Sequence, residues 1–176
     1  VGLNVIEPLA ETIISSGLET IEITMNTDGA AGLIRKAAEI SGGRLAIGAG
    51  TVLDMDSLKV ALDSGATFIV TPVLVEDIIK YCLKNKVPVL RGALTPLEIF
   101  WAWESGATMV KVFPSGFFGP AYFREIKGPF KEIELLACGG IKAENMMDYF
   151  SSGASAIAFG ASVFKKELLD KECFAQ

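Results

Sequence analysis

Three times the sequence closes a helical stretch on the same tripeptide: Ser64-Gly65-Ala66, Ser105-Gly106-Ala107 and Ser152-Gly153-Ala154. A glycine in that place can take the left-handed conformation that ends a helix, and each time a short apolar run follows at once. The chain is therefore written as helix, glycine stop, strand, over and over. Units of this kind with short joins require parallel strands and right-handed crossovers. The fold is α/β, and the choice lies between an open doubly wound sheet and a closed (β/α)8 TIM barrel.

Apolar periodicity predicts helices over 1–16, 28–40, 54–63, 75–84, 95–104, 122–126, 143–150 and 162–169. Strands are predicted over 20–25, 45–52, 68–72, 87–93, 109–114, 134–140 and 156–160. The first helix carries Leu3, Ile6, Leu9, Ile13 and Ile14 on one stripe, with Asn4 as its cap and Gly17 as its stop. Thr95-Pro96 followed by Glu98 has the form of a capping box.

Three features favour the barrel. Glu22, Thr51, Thr71 and Lys111 fall in or just after different strands, as a barrel active site requires. The last two strands end in glycine-rich turns, the usual place for a barrel phosphate site. No GxGxxG loop follows the first strand. Seven strands are one short of eight, and the sequence opens inside a helix, so a leading strand is expected to be missing from these residues. The 176 residues suit one domain, 1–176, with room for a sizeable core.

Composition narrows the chemistry. A net charge of −5 with scattered basic residues argues against a nucleic-acid surface. No apolar run approaches the ~20 residues that span a bilayer, and no charged-then-apolar leader opens the sequence. Cys82, Cys138 and Cys173 are few and widely spaced, as in reduced thiols of a cytoplasmic protein. Histidine is absent, which removes His-dependent triads and proton shuttles and the commonest zinc and iron ligand. Catalysis would draw on Lys, Asp, Glu, Cys, Tyr, hydroxyls and backbone amides.

The run Met109–Pro114, MVKVFP, places one lysine among apolar neighbours. A lysine in poor solvent has its pKa lowered and exposes a nucleophilic amine, which makes Lys111 a candidate for imine chemistry with a ketone or aldehyde. The alternative is a rim lysine that reaches out to water. Glu22 alternates with Ile21 and Ile23, so in a barrel its carboxylate enters the lumen while the isoleucines meet the helices. There it either shuttles protons or forms an ion pair with Lys111. Thr51 closes the Gly-rich run IGAGTV and could bind a substrate carboxylate, or the glycines simply make a tight turn. Thr71-Pro72 is a similar strand end. Gly139-Gly140 and Gly160-Ala161-Ser162 each follow a strand and precede a helix, a nest suited to a phosphate dianion. Cys138, with no histidine or fixed cation beside it in sequence, is read as a small buried residue and not as a nucleophile. Trp101 and Trp103, two apart on a helix, must face different ways, and at least one packs or lies in a subunit interface.

Six motifs then occur in a familiar order: IEITMNT (21–27), IGAGTVL (47–53), FIVTP (68–72), RGALTPLE (91–98), VKVFPS with GPAY (110–122), and KGPF with ELLACGGI (127–141). Together the sequence resembles the 2-keto-3-deoxy-6-phosphogluconate and 4-hydroxy-2-oxoglutarate class I aldolases along nearly its whole length. The resemblance implies a trimeric (β/α)8 barrel that uses no metal and acts on a keto acid. It implies Lys111 as the Schiff-base lysine, Glu22 as the group that moves protons through a water, and Thr51 as a carboxylate contact. Asn26, Thr71, Pro72 and Phe113 would join as substrate contacts, and Gly139, Gly140, Gly160, Ala161 and Ser162 would receive the phosphate.

The sequence departs from the pattern at particular places. Asn26 stands where phosphogluconate-cleaving members usually have arginine, which is similar to the branch that acts on the galactonate epimer. Arg91-Gly92 replaces Pro-Gly, Val73 replaces a glycine, and Cys138 replaces a threonine. Arg91 is expected to supply the charge that Asn26 lacks. The expected reaction is cleavage of a 2-keto-3-deoxy-6-phospho sugar acid to pyruvate and glyceraldehyde 3-phosphate. Rival readings are a 4-hydroxy-2-oxoglutarate aldolase, a non-catalytic phosphosugar-binding paralogue, and a barrel of the sugar-phosphate isomerase kind.

Overall fold

The structure, a computed structural model, describes residues 2–160 and 162–164. These fall into two compact units, residues 2–71 with 75–88, and residues 72–74 with 89–160 and 162–164.

The first unit runs α1 (Leu3–Ser15), β1 (Thr20–Thr24), α2 (Ala30–Ser41), β2 (Ala46–Gly50), α3 (Met55–Asp63), β3 (Phe68–Thr71) and α4 (Glu76–Lys84). Its strands pair in parallel in sequence order, with Glu22 opposite Gly48, Ile23 opposite Ala49, and Ala49 opposite Ile69. Side chains alternate across a strand, so Ile21, Ile23, Ile47, Ala49 and Ile69 share one face. Of these, Ile23, Ile47, Ala49 and Ile69 are buried, as are Leu33, Ile34 and Ala37 of α2, Leu58 and Ala61 of α3, and Ile78 and Ile79 of α4. Glu22 and Thr24 share the other face with Gly48, Gly50 and Phe68. Burial of the apolar face contributes about 25 cal/mol per Å2 removed from water. That sets the register, because a slip by one residue would turn Glu22 into the core.

The second unit runs β4 (Val89–Ala93), α5 (Pro96–Glu104), β5 (Met109–Val112), a 3-10 turn (Ser115–Phe117), α6 (Gly119–Lys127), β6 (Leu135–Cys138), α7 (Met146–Ser151) and β7 (Ala156–Ala158). Its four strands are also parallel and consecutive, with Gly92 opposite Lys111, Lys111 opposite Leu136, and Leu136 opposite Ala156. The alternate positions Ala93, Val110, Val112, Leu135 and Ala137 form one core with Ile99 and Ala102 of α5, Phe123 and Ile126 of α6, and Tyr149 of α7.

All three Ser-Gly-Ala tripeptides do what their sequence predicts. Gly65, Gly106 and Gly153 have φ of 101°, 87° and 101°. In each case the alanine N–H reaches back to a carbonyl five residues earlier: Ala66 to Ala61 (3.1 Å), Ala107 to Ala102 (3.3 Å) and Ala154 to Tyr149 (3.0 Å). This is the Schellman closure, which satisfies two orphan carbonyls per helix and starts the next strand in the same geometry each time. The capping box at α5 is complete: Glu98 N–H donates to Thr95 Oγ1 (3.3 Å), and Thr95 N–H donates to the Glu98 carboxylate (2.8 Å).

Some expected boundaries shift. Gly2, not Asn4, takes the N-cap position of α1, so Asn4 lies inside the helix. The helix expected at 122–126 is longer, because Pro120 opens it in the first turn just after Gly119. The strand expected at 134–140 stops at Cys138, since Gly139 and Gly140 turn left-handed at φ 87° and 79°. The helix expected at 162–169 lies mostly outside the described residues, of which 162–164 form a turn. Trp101 is 56 % exposed while Trp103 packs against the core, as their spacing requires. Among the described residues, no helix is long and apolar enough to cross a membrane.

Candidate functional site

In the first unit the site residues gather where β1 and β2 end. Glu22 is half-buried on the face it shares with Gly48 and Gly50. Both glycines are required there. A Cβ on Gly50 would collide with the Glu22 carboxylate and lie 2.9 Å from Glu22 Cγ. A Cβ on Gly48 would fall into the Phe68 ring, 2.7 Å from its Cε1 and closer still to Cε2 and Cζ. The Gly-x-Gly spacing therefore clears a trough along one face of β2, filled by Phe68 from one side and by Glu22 from the other. Thr51 follows immediately and has φ 55°. A β-branched residue in the left-handed region is strained, and such strain clusters at functional sites. Asn26 is exposed at the tip of a turn after β1, in which Thr27 N–H donates to Thr24 O (2.9 Å) and the two threonine hydroxyls meet at 3.0 Å.

Thr71 is not part of this group. It alternates with Val70 and so sits on the face of Ile69 and Ala49, opposite Glu22. It is fully buried, and its Oγ1 has no hydrogen-bond partner among the described residues. Thr71, expected as a substrate contact, thus lies on the face away from Glu22. Cys82, on α4, is a free thiol in the core, and burial pushes its pKa up to about 11, which makes it a poor nucleophile.

In the second unit Lys111 is the centre. It lies on β5, 9 % exposed, on the face that carries Gly92, Leu136 and Cys138. Its Nζ stands 5.6 Å from the centroid of the Phe113 ring, a cation–π distance. Gly92 is a third required glycine. A Cβ there would overlap the Pro72 carbonyl and lie 2.9 Å from Pro72 Cα, so the bare glycine lets the Pro72 main chain close over β4 beside Lys111. Pro72 and Phe113, both expected as substrate contacts, are thus brought to the lysine's face.

Arg91 is not. It pairs with Val110, on the face opposite Lys111, and its buried guanidinium places Nη1 3.4 Å from Ser105 Oγ at the end of α5. Strand alternation sends the Arg91 side chain toward the helices, on the face away from Lys111. Its departure from the usual proline is a change in the helix-packing layer.

The glycine turns of β6 and β7 leave adjacent paired strands, since Cys138 is opposite Ala158. Gly139 and Gly140 both need φ values that favour glycine. Asn145 Nδ2 donates to Gly140 O (3.1 Å) while Lys142 N–H donates to Asn145 Oδ1 (2.8 Å), which pins the loop after the turn. Gly160 is exposed with open space over its Cα, and its carbonyl accepts the N–H groups of Val163 (2.9 Å) and Phe164 (2.8 Å). Ser162 Oγ is buried with no hydrogen-bond partner among the described residues. Ala161, expected in the same turn, lies outside the described residues.

The glycines of IGAGTV were noted in the sequence, though not what Gly50 meets, and two residues were missed: Gly92, whose bare Cα makes room beside Lys111, and Ser115. The glycines carried a signal, since glycine inside a strand weakens it unless something approaches closely. Ser115 carried none, because a serine in a strand-to-helix turn is ordinary.

Comparison with known proteins places these features in a family. The family model described as "Aldolase: KDPG and KHG aldolase" matches residues 3–176. The 2-dehydro-3-deoxy-phosphogluconate aldolase of Pseudomonas aeruginosa is 34 % identical over 172 residues, covering 96 % of this chain and 77 % of that protein. A solved structure described as native KDPGal superposes with a TM-score of 0.90 at 27 % identity, over 99 % of this chain and 87 % of that one. The KDPG aldolase of Legionella pneumophila, with pyruvate captured as a covalent carbinolamine, superposes at 0.91 over 99 % and 84 %. At 22 % identity that second likeness is one of fold. The α/β class of TIM-barrel type, expected from the alternating strands and helices, is the class of these neighbours and of this chain.

Proposed function

The chain belongs to the KDPG and KHG aldolase family, and on that premise we propose that Lys111 is the amine of a class I aldolase. The enzyme cleaves a 2-keto-3-deoxy-6-phospho sugar acid to pyruvate and glyceraldehyde 3-phosphate. The observation that carries the assignment of Lys111 is its place: mid-strand, 9 % exposed, on a sheet face with Gly92 and the Pro72 main chain beside it and Phe113 at 5.6 Å.

The chemistry follows from an amine in that place. Its free base adds to the C2 ketone, and loss of water leaves an iminium, an electron sink. Removal of the C4 hydroxyl proton breaks the C3–C4 bond, sends the electron pair into the iminium to give an enamine, and releases the aldehyde. Protonation at C3 and hydrolysis return pyruvate and the lysine. Glu22 is assigned the proton transfers, as a carboxylate lying over the bare Cα of Gly50. Thr51 and Asn26 are assigned to the carboxylate end of the substrate, and Pro72 and Phe113 to its walls. Gly139, Gly140, Gly160 and Ser162 are assigned to the phosphate, because glycine turns leaving adjacent strands leave backbone N–H groups for a dianion. The reaction asks for no metal and no cofactor.

We read the enzyme as cytoplasmic and as a homotrimer. Support for a subunit interface comes from the exposed apolar side chains of the second unit, Leu97, Trp101, Phe117 and Phe118, with Phe117 84 % exposed. Sedimentation equilibrium tests it, and a monomer at micromolar concentration overturns it.

Borohydride reduction in the presence of pyruvate tests the central assignment. A stable adduct on the Lys111 peptide is expected, and its absence under saturating pyruvate overturns the aldolase reading. Assays on the gluconate and galactonate epimers, with and without the 6-phosphate, then identify the substrate.

A further inference from the structure

One buried hydroxyl ties the end of β5 to the end of β6. Ser115 is 1 % exposed, and its Oγ donates to Val112 O at 2.7 Å while accepting the Cys138 N–H at 3.0 Å. Val112 is the residue after Lys111, and Cys138 is the residue before Gly139-Gly140. A single oxygen, with both its donor and an acceptor lone pair engaged, therefore bridges the lysine strand and the glycine turn.

The backbone completes the joint. Gly116 N–H donates to Gly139 O at 2.9 Å, and Tyr149 Oη donates to Ser115 O at 3.4 Å. The two turns touch main chain to main chain. A Cβ on Gly140 would lie 2.8 Å from Gly116 Cα, and one on Gly116 would lie 3.2 Å from Gly140 Cα. Gly139 is also closed in, since a Cβ there would lie 3.2 Å from the Phe113 ring. Such a contact holds its spacing because backbone cannot rotate out of the way, and buried hydrogen bonds are costly to leave unmade.

We propose that Ser115 is a positioning residue that fixes the distance from the Lys111 amine to the Gly139-Gly140 turn, and so selects keto acids by the reach from carbonyl to phosphate. This rests on the reading of that turn as the phosphate site and of Lys111 as the imine lysine. A substrate held covalently at C2 and by its phosphate at C6 fits only one separation of the two groups. A small keto acid without phosphate is indifferent to it. Correct spacing acts on the cleavage of the long substrate, where misplacement is expensive, and leaves the first imine with pyruvate alone.

The test compares wild type with Ser115→Ala on three readouts: borohydride trapping of pyruvate at Lys111, kcat/KM for the 6-phosphorylated keto acid, and inhibition by inorganic phosphate. Trapping within twofold of wild type is expected, with kcat/KM lower by about tenfold and weaker inhibition by phosphate, the scale of one lost buried hydrogen bond. Gly116→Ala keeps the hydroxyl but pushes the two turns apart. It is expected to reproduce the pattern, and it carries the test if Ser115→Ala fails to fold. Equal loss of trapping and of cleavage overturns the proposal, because it marks general distortion. So does no change in either. A wild-type enzyme that traps pyruvate but ignores phosphate overturns the phosphate turn itself, and this proposal with it. A phosphate-sensitive wild type with an indifferent variant overturns Ser115 alone.

Discussion

The Glu22 carboxylate lies over the bare Cα of Gly50, so close that a methyl group there would stand 2.9 Å from Glu22 Cγ and overlap the carboxyl itself. The two residues sit on neighbouring strands, with Glu22 opposite Gly48 and Thr24 opposite Gly50, so the side chain reaches two residues toward the C-terminal end of the sheet. Gly50→Ala is expected to displace the carboxylate while leaving β2 paired. The aldol cleavage rate should fall on the order of 10- to 100-fold, part of the roughly 10²–10⁴-fold that a positioned proton-transfer group contributes. Steady-state kinetics beside an unchanged urea midpoint checks it. Full activity would mean that Glu22 works from another position.

Thr51 holds φ 55° against the preference of a β-branched side chain. Thr51→Gly removes that strain and is expected to raise stability by about 1 kcal/mol. Loss of the hydroxyl should raise KM for the keto acid at the same time. Thermal unfolding and kinetics on one preparation give both numbers. A variant that is less stable and equally active would contradict the assignment of Thr51 to the substrate.

Arg91 faces α5, with Nη1 3.4 Å from Ser105 Oγ. Arg91→Met keeps most of the apolar stem and removes the guanidinium. It is expected to cost roughly 1–3 kcal/mol of stability, the scale of a hydrogen bond to a buried charged group. KM for the keto acid should not change. A several-fold rise in KM with unchanged stability would return Arg91 to the substrate.

The capping box at α5 gives stability a pH dependence. Thr95 and Leu94 N–H groups donate to the Glu98 carboxylate and hold its pKa below the ordinary carboxylate range. A depressed folded pKa adds stability that is fully present above the unfolded value, about 4.3 for glutamate, and is lost as pH falls through the folded value. Glu98 is exposed, so the effect is screened and modest. Thr95→Ala should cost about 1 kcal/mol at pH 7. Glu98→Gln should lower the urea midpoint at pH 7 and converge with wild type at pH 3. Parallel pH profiles for the two proteins would sink this account.

The parts of the fold readable in order along the chain were those set by local rules. Ser-Gly-Ala closes three helices because a glycine after a serine C-cap can turn left-handed whatever surrounds it. Glu22 between Ile21 and Ile23, and Lys111 between Val110 and Val112, could be assigned a face from alternation alone. The family motifs were contiguous and equally plain. The same alternation, applied to Thr71 and Arg91, would have turned both away from the site. They were expected at the substrate because their chemistry was weighed before their parity in the strand.

What the residues settled by themselves was the kind of unit, its repetition, and which side chains could do imine and proton chemistry, since these follow from propensity, period and functional group. What the tertiary structure alone decided was contact between segments distant in sequence: the Pro72 main chain over Gly92, the Glu22 carboxylate over Gly50, and Ser115 Oγ between Val112 and Cys138. A missing Cβ or a bridging hydroxyl has meaning only once another strand or turn is beside it. That neighbour is chosen by packing of the whole, which no local pattern encodes.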